Sequence, residues 1–470
     1  MVKILRYSLF LTVFFCSVSS CKLGQKYVSP DVSLPSELYD GEIADLTNSD
    51  DTLTIADRKW WDVYTDTALQ SLIAKTIEHN KDLLMARARI EELAAAKRIS
   101  TSKLFPQISG EAYMQKEALN YGGDNYKPDP EKGIKVSATW ELDLWGNIRW
   151  ARDRSIAEYM VAIESSRALQ ISLIAQVATS YFELRALDTE LDIVRRTLHA
   201  RKEGVRLAKL RFEGGLTSEM AYQQARVEYA KTATLIPNLE RSIAIKESDI
   251  AFIAGEYPTH VKRKSSSLDT VMPLALPVGL PSTLLKRRPD VRSAEQSLRA
   301  ANAAVGVAYT DRFPRLSLTA RAGFESEEFF DLLKSPMHFL SGALTGPIFD
   351  AGNRQAAYRA KQAAYKRETL NYEKTVLAAF KDAHDAIVNY SKTHAIYQSR
   401  LELLRAAKTA TDLAQLQYIN GVIGYLDVLD AQRSYFDAQI SFSNANRDAC
   451  IAFVALYSSL GGGWVPESEE

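Results

Sequence analysis

The sequence predicts a mainly α-helical, internally duplicated chain that carries membrane-type β-strands in each copy. Three observations lead there. Residues 208–216 (AKLRFEGGL) match residues 414–422 (AQLQYINGV) at an offset of 206, and the same offset pairs Leu207 with Leu413, Gly255 with Gly461 and Gly146-Asn147 with Gly352-Asn353. A fixed offset over most of a chain marks a repeat architecture. No proline falls between Pro130 and Pro237 or between Pro347 and Pro466. Between the helical stretches, two runs change to a period of two.

The N-terminus comes first. Lys3 and Arg6 precede an apolar run from Tyr7 to Phe15, and Val18-Ser19-Ser20 then lead into Cys21. Residues 1–20 read as a secretory signal peptide, and the small residues before a cysteine resemble a bacterial lipobox. The expectation is cleavage before Cys21 and lipidation of its thiol. The apolar run is too short to span a bilayer, and Lys22 in the following position favours an outer-membrane address. Cys16 leaves with the signal and Cys450 keeps no partner, so no disulfide framework is expected. Equal totals of 58 basic and 58 acidic residues give no net charge and no reason to expect a nucleic acid. Apolar content of 46% excludes a disordered chain.

Residues 21–65 are polar and turn-rich and read as a lipidated, extended arm. Residues 66–275 form a first repeat and residues 276–470 a second. Helical spacing begins near Trp60-Trp61, continues through Leu69, Leu72, Ile73 and Ile77, and stops at Phe105-Pro106, because a residue before proline avoids the helical region. Ile134, Val136, Ala138, Trp140, Leu142 and Leu144 then alternate with polar residues, as do Leu316, Leu318, Ala320, Ala322 and Phe324. Each run is about the ten residues that a tilted transmembrane strand needs. Residues 107–115 and 338–348 are the weaker strands, which makes two hairpins.

Very long helices follow. Val177, Leu184, Leu191, Leu198, Val205 and Phe212 recur every seven residues, the seam of a coiled coil. A helix from Asn147 to Glu213 would extend about 100 Å. Gly214-Gly215 and Asn420-Gly421 supply left-handed turns that fold each long helix back on a partner. Four strands cannot close a membrane barrel, so either the strands do not span or several subunits each donate four.

At this point several motifs resemble the outer-membrane efflux proteins of the TolC/OprM type, in their NodT-like lipoprotein branch. They are Trp140 to Gly146 (WELDLWG), the segment from Leu280 through Arg287-Arg288-Pro289-Asp290 to Glu295, Pro347 to Gly352 (PIFDAG), Tyr425 to Arg433 (YLDVLDAQR) and the ending from Ala455 to Trp464. The resemblance covers nearly the whole chain. It implies a homotrimer whose subunits give four strands each to a twelve-stranded β-barrel, with the helical hairpins forming a trimeric α-barrel across the periplasm. It further implies a lipid-anchored duct in the bacterial outer membrane, working with a periplasmic adaptor protein and an inner-membrane efflux pump of the resistance-nodulation-division type. The cargo would be drugs or other small molecules, conducted passively.

The same resemblance places adaptor docking at the hairpin tips, Gly215, Leu216, Gly421 and Val422. It matches Asp427 and Asp430 to the acids of a periplasmic aperture, and their spacing of three puts both on one helix face. The first copy has Ala221 and Gln224 there, so the family's latch partner is absent. Trp140 and Trp145 are expected as membrane-interface aromatics, with packing at the strand-to-helix junction as the competing role.

Other patterns carry little chemistry. Glu141 and Asp143 on one strand face read as pore-lining charges rather than a glycosidase pair. Six histidines show no metal-ligand spacing, Gly461-Gly462-Gly463 reads as a helix terminator, and Pro289-Asp290 starts a helix whose preceding arginines pair with nearby acids. No cofactor, metal or enzyme activity is expected. The competing functions are the duct of a type I protein secretion system, and a non-conducting coiled-coil lipoprotein that spans the periplasm.

Overall fold

The computed structural model describes residues 22–31, 55–119, 127–263 and 287–464. Among them a one-turn α1 (Trp60–Val63) precedes the first repeat, which contains α2 (Thr67–His79), α3 (Lys81–Ser102), β1 (Gln107–Leu119), β2 (Lys127–Leu142), α4 (Asn147–Glu213) and α5 (Glu219–Ile253). The second contains α6 (Pro289–Thr310), β3 (Arg315–Ser326), β4 (Pro336–Thr345), α7 (Asn353–Ile419) and α8 (Tyr425–Ser459). The duplication is visible in helix lengths. Helices α4 and α7 both have 67 residues, α5 and α8 both have 35, and α3 and α6 both have 22.

The described chain divides into two compact units, and each draws on both repeats. One holds residues 22–31, 88–119, 127–164 and 292–375; the other holds 55–87, 165–263, 287–291 and 376–464. In the first, the four strands form one antiparallel sheet in the order β1-β2-β3-β4. The register places Ile134 opposite Ala112 and Phe324, and Ala138 opposite Ile108 and Ala320, so the apolar sets of neighbouring strands share a face.

Strand boundaries differ from expectation, and β1 runs on to Leu119. Strand β2 begins at Lys127, ahead of Pro128 and Pro130, because β3 pairs with it only from Lys132 onward. The earlier residues have β1 as their single neighbour, and an edge tolerates proline. Strand β4 covers Pro336–Thr345 rather than 338–348. It opens on a proline at the edge of the sheet and ends before Gly346-Pro347. Pro237 lies inside α5 without ending it, on the exposed side of that helix.

The second unit is helical, and its larger core draws mainly on α2, α4, α7 and α8. Ile73, Val177, Tyr181, Ala383, Cys450 and Leu456 lie in it. One acid organises its edge. Asp66 caps α2 by accepting from the Ala68 N–H at 2.9 Å, accepts the Tyr181 hydroxyl proton at 2.7 Å and faces Arg185 at 3.3 Å. Burial and the bond to Asp66 push the Tyr181 phenol up to about 12. Asp66→Ala removes the cap, the tyrosine's acceptor and a charge facing buried Arg185, so a loss of about 3 kcal/mol is expected. Thermal unfolding of the purified protein measures it, with Asp66→Asn intermediate between the two.

Candidate functional site

Three regions carry the exposed or charged features outside the cores: the sheet, its junction with the helices, and the hairpin tips. The two faces of the sheet differ in chemistry. One carries Ile108, Ile134, Val136, Leu340 and Leu344, all exposed. The other carries Glu111 at 3.3 Å from Lys135, Arg315 at 3.8 Å from Glu141, and Tyr113, which donates to Glu325 at 3.0 Å and also to Glu131. Among the described residues, β1 and β4 are each paired on one side only. A sheet with an uncovered apolar face, an ionic face and two open edges suits lipid on one side and water on the other. No described helix is long and apolar enough to cross a membrane.

At the end of β2 the chain turns into α4. Asp143 was expected on the strand face beside Glu141, but β2 ends at Leu142. The Asp143 carboxylate instead accepts from the backbone N–H groups of Ile148 and Arg149 at 2.9 and 3.0 Å, and from the Arg149 side chain at 2.9 Å. An acid at a helix start satisfies donors that have no partner within the helix. Asp143 is therefore a helix cap beyond the end of the strand.

The tryptophans staple this junction. Trp140 donates its indole N–H to the Leu104 carbonyl at 3.0 Å, and Trp145 donates to the Pro314 carbonyl at 2.7 Å while packing on Phe313. Trp150 is buried and donates to the Leu23 carbonyl at 2.6 Å. Lys22, noticed in the sequence only for its position after the cysteine, sits 3.4 Å above the Trp150 ring and pairs with Asp153. Leu23 returns its N–H to the Trp145 carbonyl at 3.0 Å, and Tyr27 reaches Glu295 of α6 at 3.3 Å. Residues 22–27 thus form a strap along α4 and α6. Cys21 lies outside the described residues.

At the opposite ends of α4 and α7 the expected turns are present and equivalent. Gly215 and Gly421 have φ of 71° and 73°, a left-handed conformation that favours glycine. The N–H of Leu216 bonds the Arg211 carbonyl at 2.8 Å, and that of Val422 bonds the Gln417 carbonyl at 2.9 Å. These are the backbone bonds of a Schellman helix end. Leu216 and Val422 project into solvent at 73% and 70% exposure, far above the core residues they resemble chemically. Asp427 and Asp430 are both exposed on the first turns of α8, and Asp427 accepts the Gly424 N–H at 3.0 Å. No group that could hold a metal ion occurs among the described residues.

Known proteins resemble this arrangement throughout. The outer membrane efflux protein family matches residues 72–256 and again residues 280–462, one match in each repeat. The chain belongs to the outer membrane efflux protein family. It is 31% identical over 460 residues to the solvent efflux pump outer membrane protein SrpC of Pseudomonas putida, covering 95% of this chain and 96% of that one. It is 27% identical to the cation efflux system protein CusC of Escherichia coli K12, covering 96% and 98%. The solved outer-membrane channel OprN superposes with a TM-score of 0.87 at 28% identity, over 95% of this chain and all of that one. This efflux protein is accordingly an outer-membrane channel component, with four antiparallel strands per chain.

In this efflux protein the strap depends on close packing at Gly306, where an added Cβ would come within 2.3 Å of the Trp150 ring. Gly306→Val is expected to displace the indole and release residues 22–27. Trypsin should then cut after Lys22 and Lys26 several-fold faster than in the parent protein, and an equal rate would contradict the packing.

Proposed function

We propose that three copies of this chain assemble into a conducting duct of a tripartite efflux system. The observation that carries the reading is the open-edged sheet with its uncovered apolar face. Unpaired backbone groups are not tolerated in lipid, and a closed barrel needs at least eight strands in a single-chain case. Four strands from each of three subunits give twelve. The long helices support the same stoichiometric logic, since Leu370 with Leu377, and Ile396 with Leu403, are exposed apolar residues seven apart on α7. Such residues await a neighbouring helix.

Repeats 66–275 and 276–470 then each supply one helical hairpin and one strand pair per subunit. Lipidation at Cys21 would anchor the subunit beside the Trp140 and Trp145 junction, because the strap begins one residue later. The exposed tips at Gly215, Leu216, Gly421 and Val422 are the docking surface for a periplasmic adaptor, which connects the duct to an inner-membrane pump of the resistance-nodulation-division type. Asp427 and Asp430 from three subunits place six carboxylates around the periplasmic aperture. Such a ring attracts cations and resists closure unless counter-ions bind.

Transport is passive in this protein, and the pump supplies the energy. Relatives named for solvent export and for cation export match this chain almost equally well, which is consistent with a duct that leaves cargo choice to its partners. Small-molecule efflux is favoured over protein secretion by those names.

Two experiments test the reading. Reconstituted in planar bilayers, the protein should conduct, and Asp427→Ala with Asp430→Ala should raise resting conductance or relieve block by divalent cations. A correctly assembled trimer that does not conduct would refute the duct. Metabolic labelling with radioactive palmitate should mark the parent protein and not Cys21→Ser; equal labelling would remove the anchor from the scheme.

A further inference from the structure

A buried charge cluster joins three helices near the hairpin tips. Glu228 of α5 is 4% exposed, and carboxylates are rarely buried without partners. Its Oε1 accepts from Arg433 Nη2 of α8 at 2.8 Å, and its Oε2 lies 3.2 Å from Arg201 Nη1 of α4. Arg201 also donates to the Glu228 carbonyl at 3.0 Å and to the Thr232 hydroxyl, and its guanidinium stands 5.4 Å from the centre of the Phe436 ring. Lys231 adds a third cation from the solvent side at 3.6 Å. Burial works against the ionised carboxyl, but the Arg433 hydrogen bond and the charge of Arg201 more than offset it and hold Glu228 below the ordinary carboxylate range.

This cluster crosses between the two hairpins, as does the Arg211 guanidinium of α4 at 4.7 Å from the Tyr418 ring of α7, whereas other ties nearby stay within one hairpin. Arg195 and Glu240 pair at 2.9 Å between α4 and α5, and the Thr411 hydroxyl donates to the Ala431 carbonyl at 2.9 Å between α7 and α8. Both hold one hairpin to itself. Glu228 and Arg433 hold the first hairpin to the returning helix of the second. At the repeat offset, the counterparts of Arg201, Glu228 and Arg433 are Ala407, Ser434 and Val227, so the cluster exists in one copy only. Arg433 is also three residues from Asp430, on the same helix.

We infer that Glu228, with Arg201 and Arg433, is a one-sided brace that holds α8, and with it Asp427 and Asp430, against the first hairpin in the resting duct. The inference rests on the aperture assigned under Proposed function. Any movement that draws α8 away from α5 must separate Arg433 from a carboxylate that stays buried. Removing one partner of such a pair is costly, whereas intra-hairpin ties would survive the movement intact.

The test uses the full-length, acylated protein in planar bilayers. Glu228→Gln keeps the shape and removes the charge, and it is expected to raise resting conductance several-fold. Arg433→Met, at a half-exposed position, should do the same and keeps the test open should Glu228→Gln fail to assemble. The double variant should match the larger single effect, because both act through one pair. Arg195→Met, which cuts a tie within one hairpin, should leave conductance unchanged. A conducting parent whose conductance is unaltered by Glu228→Gln and Arg433→Met overturns the brace alone, as does an equal rise with Arg195→Met. A parent that never conducts removes the duct and the brace together.

Discussion

Everything distinctive about this chain follows from the backbone groups along the outer edges of β1 and β4. Among the described residues, a sheet of four strands leaves two rows of N–H and C=O groups without strand partners. In hydrocarbon each such group costs several kcal/mol, on the order of the stability of a whole domain once summed over an edge. The apolar face excludes water as the remedy, since Ile108, Val136 and Leu340 lie open upon it. Such a sheet calls for further strands at both edges, which is the ground for the proposed closed barrel. Copies of the same chain are the simplest source of the missing strands, and the exposed heptad residues of α7 ask for helical neighbours in the same way.

Duplication builds the wall, and departures from duplication place the chemistry. Helix lengths and the Schellman ends at Gly215 and Gly421 repeat closely, as the proposed shared barrel would require of two hairpins. The charged residues of the aperture and of the buried cluster do not repeat. Asp427 and Asp430 stand opposite Ala221 and Gln224, while Arg201, Glu228 and Arg433 stand opposite Ala407, Ser434 and Val227. In the proposed trimer, a quasi-symmetric ring with charge on alternate elements would give each subunit one element that differs electrostatically from its neighbours. That is a physical basis for one hairpin responding to a partner while the other keeps its position.

Much of the fold was legible in the sequence because its signals are local and periodic. Missing prolines, a seven-residue repeat and paired glycines define α4 and its turn, and the structure places that helix at Asn147–Glu213. Arg288 likewise pairs with Asp290 and Asp382 at the start of α6, as the Arg287-Arg288-Pro289-Asp290 pattern suggested. Strand limits were less legible, since tolerance of Pro128 and Pro130 depends on which neighbour reaches that far along β2. Asp143 looked like a strand residue because alternation continues one step past the pairing. Its role follows from where α4 begins. Glu228 was invisible for another reason. Its main partner, Arg433, is 205 positions away, and no periodicity reports a contact between one repeat and the other.

Apolar burial along the seam of α4 bears on the proposed regulation near the tips. Val177 and Leu184 are fully buried, Leu191 is nearly so, and Leu198 and Val205 are half-buried. Phe212 reaches 37% exposure. Apolar burial therefore declines along the helix toward the turn, and with it the hydrophobic stabilisation of about 25 cal/mol for each Å² removed from water. Segments with few buried contacts open at low free energy. Near the turn, polar ties make a larger share of what holds neighbouring helices together. A single buried carboxylate there can decide the position of α8, whereas the same group beside Val177 would be outweighed by the core.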